Sequence, residues 1–136
     1  MNLTDYYQTN LKSIYARVKN LGGIVNTVFM PDDFDVPSLE VKPVPTKVLN
    51  RAYYLWTLEN IDQLQRVVDW LVGVFNDFNL VDLTTGEAAE TLKLWQPRSL
   101  VIDDNYWKLL GKNFSDVNKL LDELEKYAKP YVKGVN

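Results

Sequence analysis

Apolar residues at the start of the chain recur at spacings of three and four, and this periodicity constrains the fold more than any other feature of the sequence. The residues that show it are Leu3, Tyr7, Leu11, Ile14, Val18 and Leu21. Because an α-helix completes a turn every ~3.6 residues, side chains at these spacings lie on one face. The pattern predicts a helix over residues 4–20, capped by Thr4 or Asp5 and ended by Gly22-Gly23.

Apolar stripes also predict helical structure between Thr46 and Asn79. The phase of the stripe shifts within this region, since continuing its first part would place Asn60 in the core. We therefore expect a break near residues 57–60, with Asn60 capping the helix that follows. A single bent helix over the same residues is the alternative.

A capping-box pattern follows at Thr84-Thr85-Gly86-Glu87, in which the threonine hydroxyl and the glutamate each satisfy a free backbone N–H. It predicts a helix over residues 85–95 that ends before Pro97.

Two helices are predicted after residue 102. Asp103 or Asp104 is expected to start a short helix that stops at Gly111. Ser115 is expected to cap the last helix, whose apolar stripe continues as far as Pro130.

Residues 24–45 have a different character. Residues 24–30 are rich in β-branched and aromatic types, which favour a short strand. Prolines then forbid a helix, because each lacks an N–H and has a fixed φ; they are Pro31, Pro37, Pro43 and Pro45. We expect an extended arm or long loop, with residues 98–102 as a partner in a minor two-stranded ribbon.

Together these elements predict a mainly α fold. Residues 1–136 form one domain, a bundle of five to six helices with the Pro-rich arm at 24–45, because each amphipathic stripe must be buried against another.

The chain contains no Cys and no His. These absences argue against the usual zinc sites, Ser-His-Asp and Cys-His nucleophiles, and imidazole bases. No cofactor is expected.

The net charge of −3 gives no general attraction to nucleic acid or anionic lipid. Neither a secretory signal nor a membrane-spanning run is evident, so the expected location is intracellular or within a virion.

Three acidic residues, Asp32, Asp33 and Asp35, are the weak candidates for binding a hard cation. As an EF-hand beginning at Asp33, the segment has Ser38 where glycine is required and Val44 where the bidentate glutamate belongs. The pattern favours a hydrated turn, and no metal site is predicted.

Exposed aromatic residues and arginine are typical of protein-binding surfaces. The residues selected on this basis are Phe34, Tyr54, Trp95, Arg98 and Tyr106. Helix capping by aspartate and packing of one ring in the core is the alternative account of Tyr106, which follows Asp103-Asp104.

The function expected is non-enzymatic protein–protein interaction or assembly, with a second copy or another protein as the partner and with contacts from the arm and the exposed aromatics. An oligomer, and a composition compatible with a phage or virus gene product, belong to this hypothesis. The first alternative is a small carboxylate- or metal-dependent enzyme or a ligand-binding bundle. The second is an acidic inhibitor of a basic nucleic-acid-binding partner.

Overall fold

The computed structural model describes residues 3–29, 50–99 and 101–131. They form three long α-helices, α1 (Leu3–Phe29), α2 (Arg51–Asp77) and α3 (Asp104–Ala128), and a 3₁₀ turn at Lys129–Tyr131. Within these ranges there is no strand, and a single bridge joins Val81 to Ala88. The mainly α class is therefore confirmed, whereas the expected five to six helices do not occur.

The first helix carries the predicted apolar face but does not end where predicted. All six residues of its stripe are buried. The helix continues through Gly22-Gly23 to Phe29, so the glycine stop and a strand beginning at residue 24 are both wrong. A glycine inside a helix costs only about 1 kcal/mol, which tertiary packing can offset. The rest of the predicted arm, residues 30–45, lies outside the described residues.

The second helix is continuous through the region where a break was expected. Asn50, and not Thr46, caps the described helix: its Oδ1 accepts from the Tyr53 N–H at 3.1 Å. Asn60 is buried within α2, where its Nδ2 donates to the Trp56 carbonyl at 3.1 Å. The polar side chain is therefore satisfied by its own helix, and the break near residues 57–60 is wrong.

The third helix also replaces two predicted ones. Asp103 is its N-cap, with its carboxylate accepting from the Tyr106 N–H at 2.9 Å, as expected. Gly111 and Ser115 lie inside the helix instead of separating two. A Cβ atom at Gly111 would lie 3.3 Å from the Tyr6 hydroxyl of α1. The glycine therefore allows a close approach between helices and does not mark a stop.

The three helices run parallel to one another. Near their N-termini, the Tyr7 ring lies 5.3 Å from the Trp56 ring, and its hydroxyl lies 3.4 Å from that of Tyr106. At the other end, Asp82 follows α2 and pairs with Lys126 of α3 at 3.0 Å. Corresponding ends of the helices therefore meet, and the connection from α2 to α3 must return along the bundle.

An ion cluster fixes the middle of α1 against the C-terminal half of α3. Arg17 of α1 donates from Nε to Glu125 at 3.0 Å and from a terminal nitrogen to Asp122 at 2.5 Å. Its other terminal nitrogen donates to the Asn118 side chain at 3.0 Å. A guanidinium that satisfies several acceptors at fixed angles sets the axial register of the two helices.

The return connection begins with a tight turn where a helix was predicted. The Asp82 carboxylate accepts from the N–H groups of Thr84 and Thr85 at 2.8 and 3.3 Å. Gly86 follows with a positive φ of 76°, which favours glycine. Thr85 accepts from the Glu87 N–H at 3.2 Å. The residues of the predicted capping box therefore build a turn, and the helix over residues 85–95 is wrong.

Residues 88–97, which we call the strap, lie along α2 in the reverse direction. Asn76, near the end of α2, donates a side-chain hydrogen bond to the Ala89 carbonyl. Tyr54, near the start of α2, donates one from its hydroxyl to the Pro97 carbonyl. Those α2 residues are about 33 Å apart at ~1.5 Å per residue. Eight strap residues reach at most ~29 Å. The strap is therefore close to fully extended, and side chains from α2 cover the remaining distance.

Candidate interaction groove

The strap is held against α2 by one glutamine side chain. Gln65 donates from Nε2 to the Leu92 carbonyl at 2.8 Å and accepts from the Leu94 N–H at 2.7 Å. Its carboxamide therefore takes the place that a peptide group of a neighbouring strand would occupy in a sheet. The extended strap satisfies two backbone groups in this way without a partner strand.

An asparagine of α3 does the same on the other side of the strap. Asn113 accepts from the Trp95 N–H and donates to the Trp95 carbonyl, both at 2.8 Å. Asn113 is buried on the inward face of α3. Because buried backbone groups must be paired, Gln65 and Asn113 set the register of the strap on the two helices.

The C-terminal end of the strap is fixed near the start of α2. The Tyr54 hydroxyl donates to the Pro97 carbonyl at 2.7 Å. Gln96 donates from Nε2 to Asp62 at 2.5 Å. Pro97 itself is buried, so this end is held both by polar contacts and by packing.

A groove of about 970 Å³ lies between α2 and the strap. Tyr54, Leu58, Gln65 and Asp69 line its α2 wall; successive residues of this set are spaced by four, seven and four and therefore lie on one face of the helix. The strap wall contains Leu92, Leu94 and Pro97, along with the polar residues Thr91, Lys93, Gln96 and Arg98. Leu55, which is 49% exposed, is next to Tyr54 on α2. The surface is mixed, with apolar side chains between charged ones.

The acidic side chains around the groove have hydrogen-bond partners within the described residues, whereas two basic side chains do not. Asp69 accepts a hydrogen bond from Gln65 at 2.9 Å, and nearby Asp62 accepts one from Gln96. Lys93 and Arg98 are exposed on the strap side and form no ion pair or hydrogen bond with the residues that the structure describes. The strap wall therefore presents two cations that are available to an external carboxylate.

The strap also presents unused backbone groups next to Gln65. In an extended chain, the N–H and C=O of alternate residues point to the same side. Gln65 forms hydrogen bonds with the Leu92 carbonyl and the Leu94 N–H. The next backbone groups on the same side of the strap are therefore the Leu94 carbonyl and the Gln96 N–H. Neither group is hydrogen-bonded to any residue within the described ranges. An extended segment placed in the groove would find one acceptor and one donor there.

A smaller hollow of about 150 Å³ lies on the other side of the strap end. Its lining includes Trp95, Arg98, Val101 and Asp103. Arg98 thus borders both the hollow and the larger groove. Val101 is 62% exposed, which adds an apolar side chain to this end of the molecule.

A buried group of tyrosines lies beneath the strap end. Tyr7 and Tyr106 share a hydrogen bond between hydroxyls at 3.4 Å, and the nearby Thr57 hydroxyl donates to the Tyr54 carbonyl at 2.7 Å. Burial, followed by the neighbouring Tyr106 hydroxyl, raises the pKa of Tyr7 far above its ordinary value. Burial likewise raises the pKa of Tyr106. Both phenols therefore remain neutral, and their geometry is that of core packing with internal hydrogen bonds.

The structure brings three of the five predicted contact residues to the strap end. Tyr54 is half-buried and Arg98 is exposed, and both line the groove. Trp95 is half-buried, with its ring 5.4 Å from that of Tyr106. Tyr106 is only 3% exposed, so we assign it to the core and not to an interaction surface.

The remaining candidates are not placed by the structure. Phe34 and the acidic residues Asp32, Asp33 and Asp35 lie outside the described residues. Across the described ranges, no three His, Cys, Asp or Glu side chains are grouped so that they could hold a metal ion.

Sequence reasoning missed the two residues that organise the groove, Gln65 and Asn113. Asn113 carried a usable signal, since an amide sits between Leu110 and Phe114 on the inward face of an amphipathic helix. A buried amide requires hydrogen-bond partners, and backbone groups outside its own helix are the natural ones. Gln65 is half-buried, and its sequence context gives no comparable indication.

Comparisons with protein-family models, with curated proteins and with solved structures find no match to this chain. None of the helices in the described ranges combines the length and the apolar character needed to cross a lipid bilayer.

Proposed function

We propose that this chain is a non-enzymatic assembly protein that binds a protein partner in the groove between α2 and the strap. The observation that carries the proposal is the combination of apolar walls with two cations, Lys93 and Arg98, that pair with no residue in the described ranges, in one groove. Arginine and aromatic residues at the centre of a partly apolar surface are typical of protein contacts.

The shape of the groove favours a chain segment as the bound group. Its α2 wall runs from Tyr54 to Asp69, which is about 22 Å at ~1.5 Å per residue. An extended peptide of seven or eight residues has this length at ~3.3 Å per residue. The unused Leu94 carbonyl and Gln96 N–H would satisfy its backbone, as occurs when a peptide adds to the edge of a sheet.

The first partner to test is a second copy of the chain, since self-assembly needs no other component. Sedimentation velocity over a wide range of protein concentration should show an oligomer, and hydrogen exchange should show slower exchange over residues 91–98 as it forms. A chain that stays monomeric at every concentration would contradict assembly with itself. Leu58→Glu places a charge in the apolar wall and should weaken the oligomer, whereas Arg66→Glu, at an exposed position of α2 that does not line the groove, should not.

A further inference from the structure

We propose that the groove binds an extended segment of another protein that carries two carboxylates about five residues apart, one for Lys93 and one for Arg98, with aliphatic side chains between them. This inference rests on the proposed function and specifies the chemistry of its partner. The carboxylates would set the register of the segment, and hydrogen bonds to the strap backbone would hold it in place.

The free backbone groups of the strap lie between the two cations. The Leu94 carbonyl and the Gln96 N–H are on the same side of the strap, and neither is bonded to a residue in the described ranges. Lys93 precedes this pair in the sequence and Arg98 follows it. A segment that bonds to the pair therefore passes from one cation to the other.

The Gln65 side chain shows that this side of the strap pairs with amide groups. Its carboxamide bonds to the Leu92 carbonyl at 2.8 Å and to the Leu94 N–H at 2.7 Å. An extended segment would continue the same pattern one position further along, where a neighbouring strand would lie in a sheet. The hydrogen bond from Tyr54 to the Pro97 carbonyl joins α2 to the strap at the other end, so the edge that is open to pairing is short.

The separation of the two cations sets the spacing of the carboxylates. Positions 93 and 98 are five residues apart, which is about 16 Å in an extended chain at ~3.3 Å per residue. A partner segment in the same conformation places its carboxylates at this distance when they too are five residues apart. Both cations are exposed and pair with no described residue, so each is open to an external carboxylate.

Apolar side chains on both walls of the groove call for aliphatic residues in the middle of the segment. Leu58 lines the α2 wall, and Leu92 and Pro97 line the strap wall. Leu58 and Leu92 are half-buried, so a segment lying over them would remove further apolar surface from water.

The acidic residues of α2 restrict how many anionic groups the partner can bring. Asp69 lines the α2 wall, and Asp62 lies nearby with a hydrogen bond from Gln96. A nucleic acid or a continuous acidic tract would place further negative charges beside these carboxylates. The net charge of −3 adds to that repulsion. The groove therefore favours a protein segment with two isolated carboxylates.

The segment is assigned to another protein because residues 3–29, 50–99 and 101–131 contain no free extended stretch of this length. The helices α1, α2 and α3 account for most of these residues. The strap is extended but is held between α2 and α3 by Gln65 and Asn113. A second copy would have to release one of these elements to fill the groove.

The test uses the full-length chain and a fluorescein-labelled hexapeptide with blocked ends. The peptide has glutamate at both end positions and alternating valine and serine between them. Fluorescence anisotropy should show saturable binding, and the same peptide with lysine at both ends should bind at least about tenfold more weakly.

Reversing the charges of the groove should reverse this preference. The double variant Lys93→Glu and Arg98→Glu should bind the lysine peptide more tightly than the glutamate peptide. Arg66→Glu is the matched control, since it reverses an exposed cation of α2 that does not line the groove and should leave the preference unchanged. Circular dichroism of each variant confirms that the helices are intact.

The backbone contact is tested by changing the peptide and not the protein. Methylation of the central amide nitrogens of the peptide, one at a time, removes each donor in turn. At least one methylated peptide should bind about tenfold more weakly, because it cannot donate to the Leu94 carbonyl. Equal binding by all of them would overturn the pairing with the strap.

The remaining outcomes separate this inference from the proposed function. Equal affinity for the glutamate and lysine peptides, or a preference that the double variant does not reverse, would overturn the inference and leave the groove as a protein-binding site. Binding of neither peptide would also overturn it, and the effect of Leu58→Glu on self-association would then decide the proposed function by itself. Displacement of the glutamate peptide by an equal concentration of a thymidine hexanucleotide would show a general anion site instead. Dissociation of a wild-type oligomer by the glutamate peptide would identify a second copy as the occupant and overturn the assignment to another protein.

Discussion

The carboxamide of Asn113 on α3 pairs with both backbone polar groups of Trp95, accepting from the N–H and donating to the carbonyl at 2.8 Å each. A side chain of one helix thus replaces a strand partner for an extended segment that has none. The position of the strap, and with it the groove, depends on this contact and on the matching one from Gln65.

Removing the Asn113 carboxamide should destabilise the protein. Asn113→Ala leaves two Trp95 backbone groups without partners and creates a small cavity, so the free energy of unfolding should fall by about 2–4 kcal/mol. Urea denaturation monitored by circular dichroism measures the change. Ser115→Ala, at an exposed position on the same helix, is the control, and an equal effect of the two substitutions would contradict the role of Asn113.

Removing the Gln65 carboxamide should loosen the strap more than the helices. Gln65→Ala eliminates the acceptor of the Leu94 N–H, and we expect a loss of about 1–2 kcal/mol because this site is only half-buried. Amide exchange followed by NMR should be faster at Leu94 and little changed in the middle of α1. Arg66→Ala alters the adjacent exposed residue and should leave Leu94 protected. Unchanged protection of the Leu94 amide in Gln65→Ala would mean that the Gln65 side chain does not hold the strap in place.

Two glycines inside helices should respond differently to alanine. The Cβ atom that Gly73→Ala adds has no other atom within 4 Å. The change also removes a helix-destabilising residue, so the free energy of unfolding should rise by about 0.5–1 kcal/mol. Gly111→Ala would bring its Cβ to 3.3 Å from the Tyr6 hydroxyl, so its gain should be smaller or negative. Thermal and urea unfolding provide the comparison.

The Tyr6 hydroxyl explains that difference and can be tested directly. In the double variant Tyr6→Phe and Gly111→Ala, the obstacle is absent, so the two changes together should be more favourable than their sum. Strictly additive effects would show that Tyr6 does not limit the space at Gly111.

The contact between Asp82 and Lys126 should make stability depend on pH in the acidic range. The hydrogen bond from Lys126, followed by the Thr84 N–H, holds the pKa of Asp82 below its ordinary value of 3.8. A carboxylate whose pKa is depressed on folding stabilises the protein above its unfolded pKa. That contribution is lost as pH falls below 3.8 and through the folded value.

The measurement is the free energy of unfolding against pH for the wild type and for Asp82→Asn. The wild type should be the more stable near neutral pH, and the difference should diminish below about pH 4. Asp77→Asn, at an exposed position at the end of α2, provides the control. A difference that is constant across this pH range would exclude the ion pair as its cause.

Local signals identified the interior better than the ends of the helices. The stripe in α1 was predicted in full, because burial follows directly from helical spacing. Gly22-Gly23 and Gly111 were misread as stops, since a glycine in a sequence looks the same whether it ends a helix or lets another helix approach. Only the position of Tyr6 distinguishes the two cases for Gly111.

The candidate site was predicted in part. Tyr54 and Arg98 were selected from residue type and do line one groove, but the residues that shape it, Gln65 and Asn113, were not selected. Their importance depends on contacts with residues 18 to 29 positions away along the chain, which no local pattern records.

The sequence alone determined that this chain is mainly helical and that the apolar stripe of its first helix is buried, because both follow from local spacing of apolar residues. The tertiary structure decided that the helices run parallel and that residues 88–97 are extended. The local preference for a helix at residues 85–95 is worth only tenths of a kcal/mol per residue, and such a helix would cover only about 16 Å. Returning from the end of α2 to the start of α3 requires nearly twice that distance, and side chains on two other helices satisfy the extended backbone that covers it.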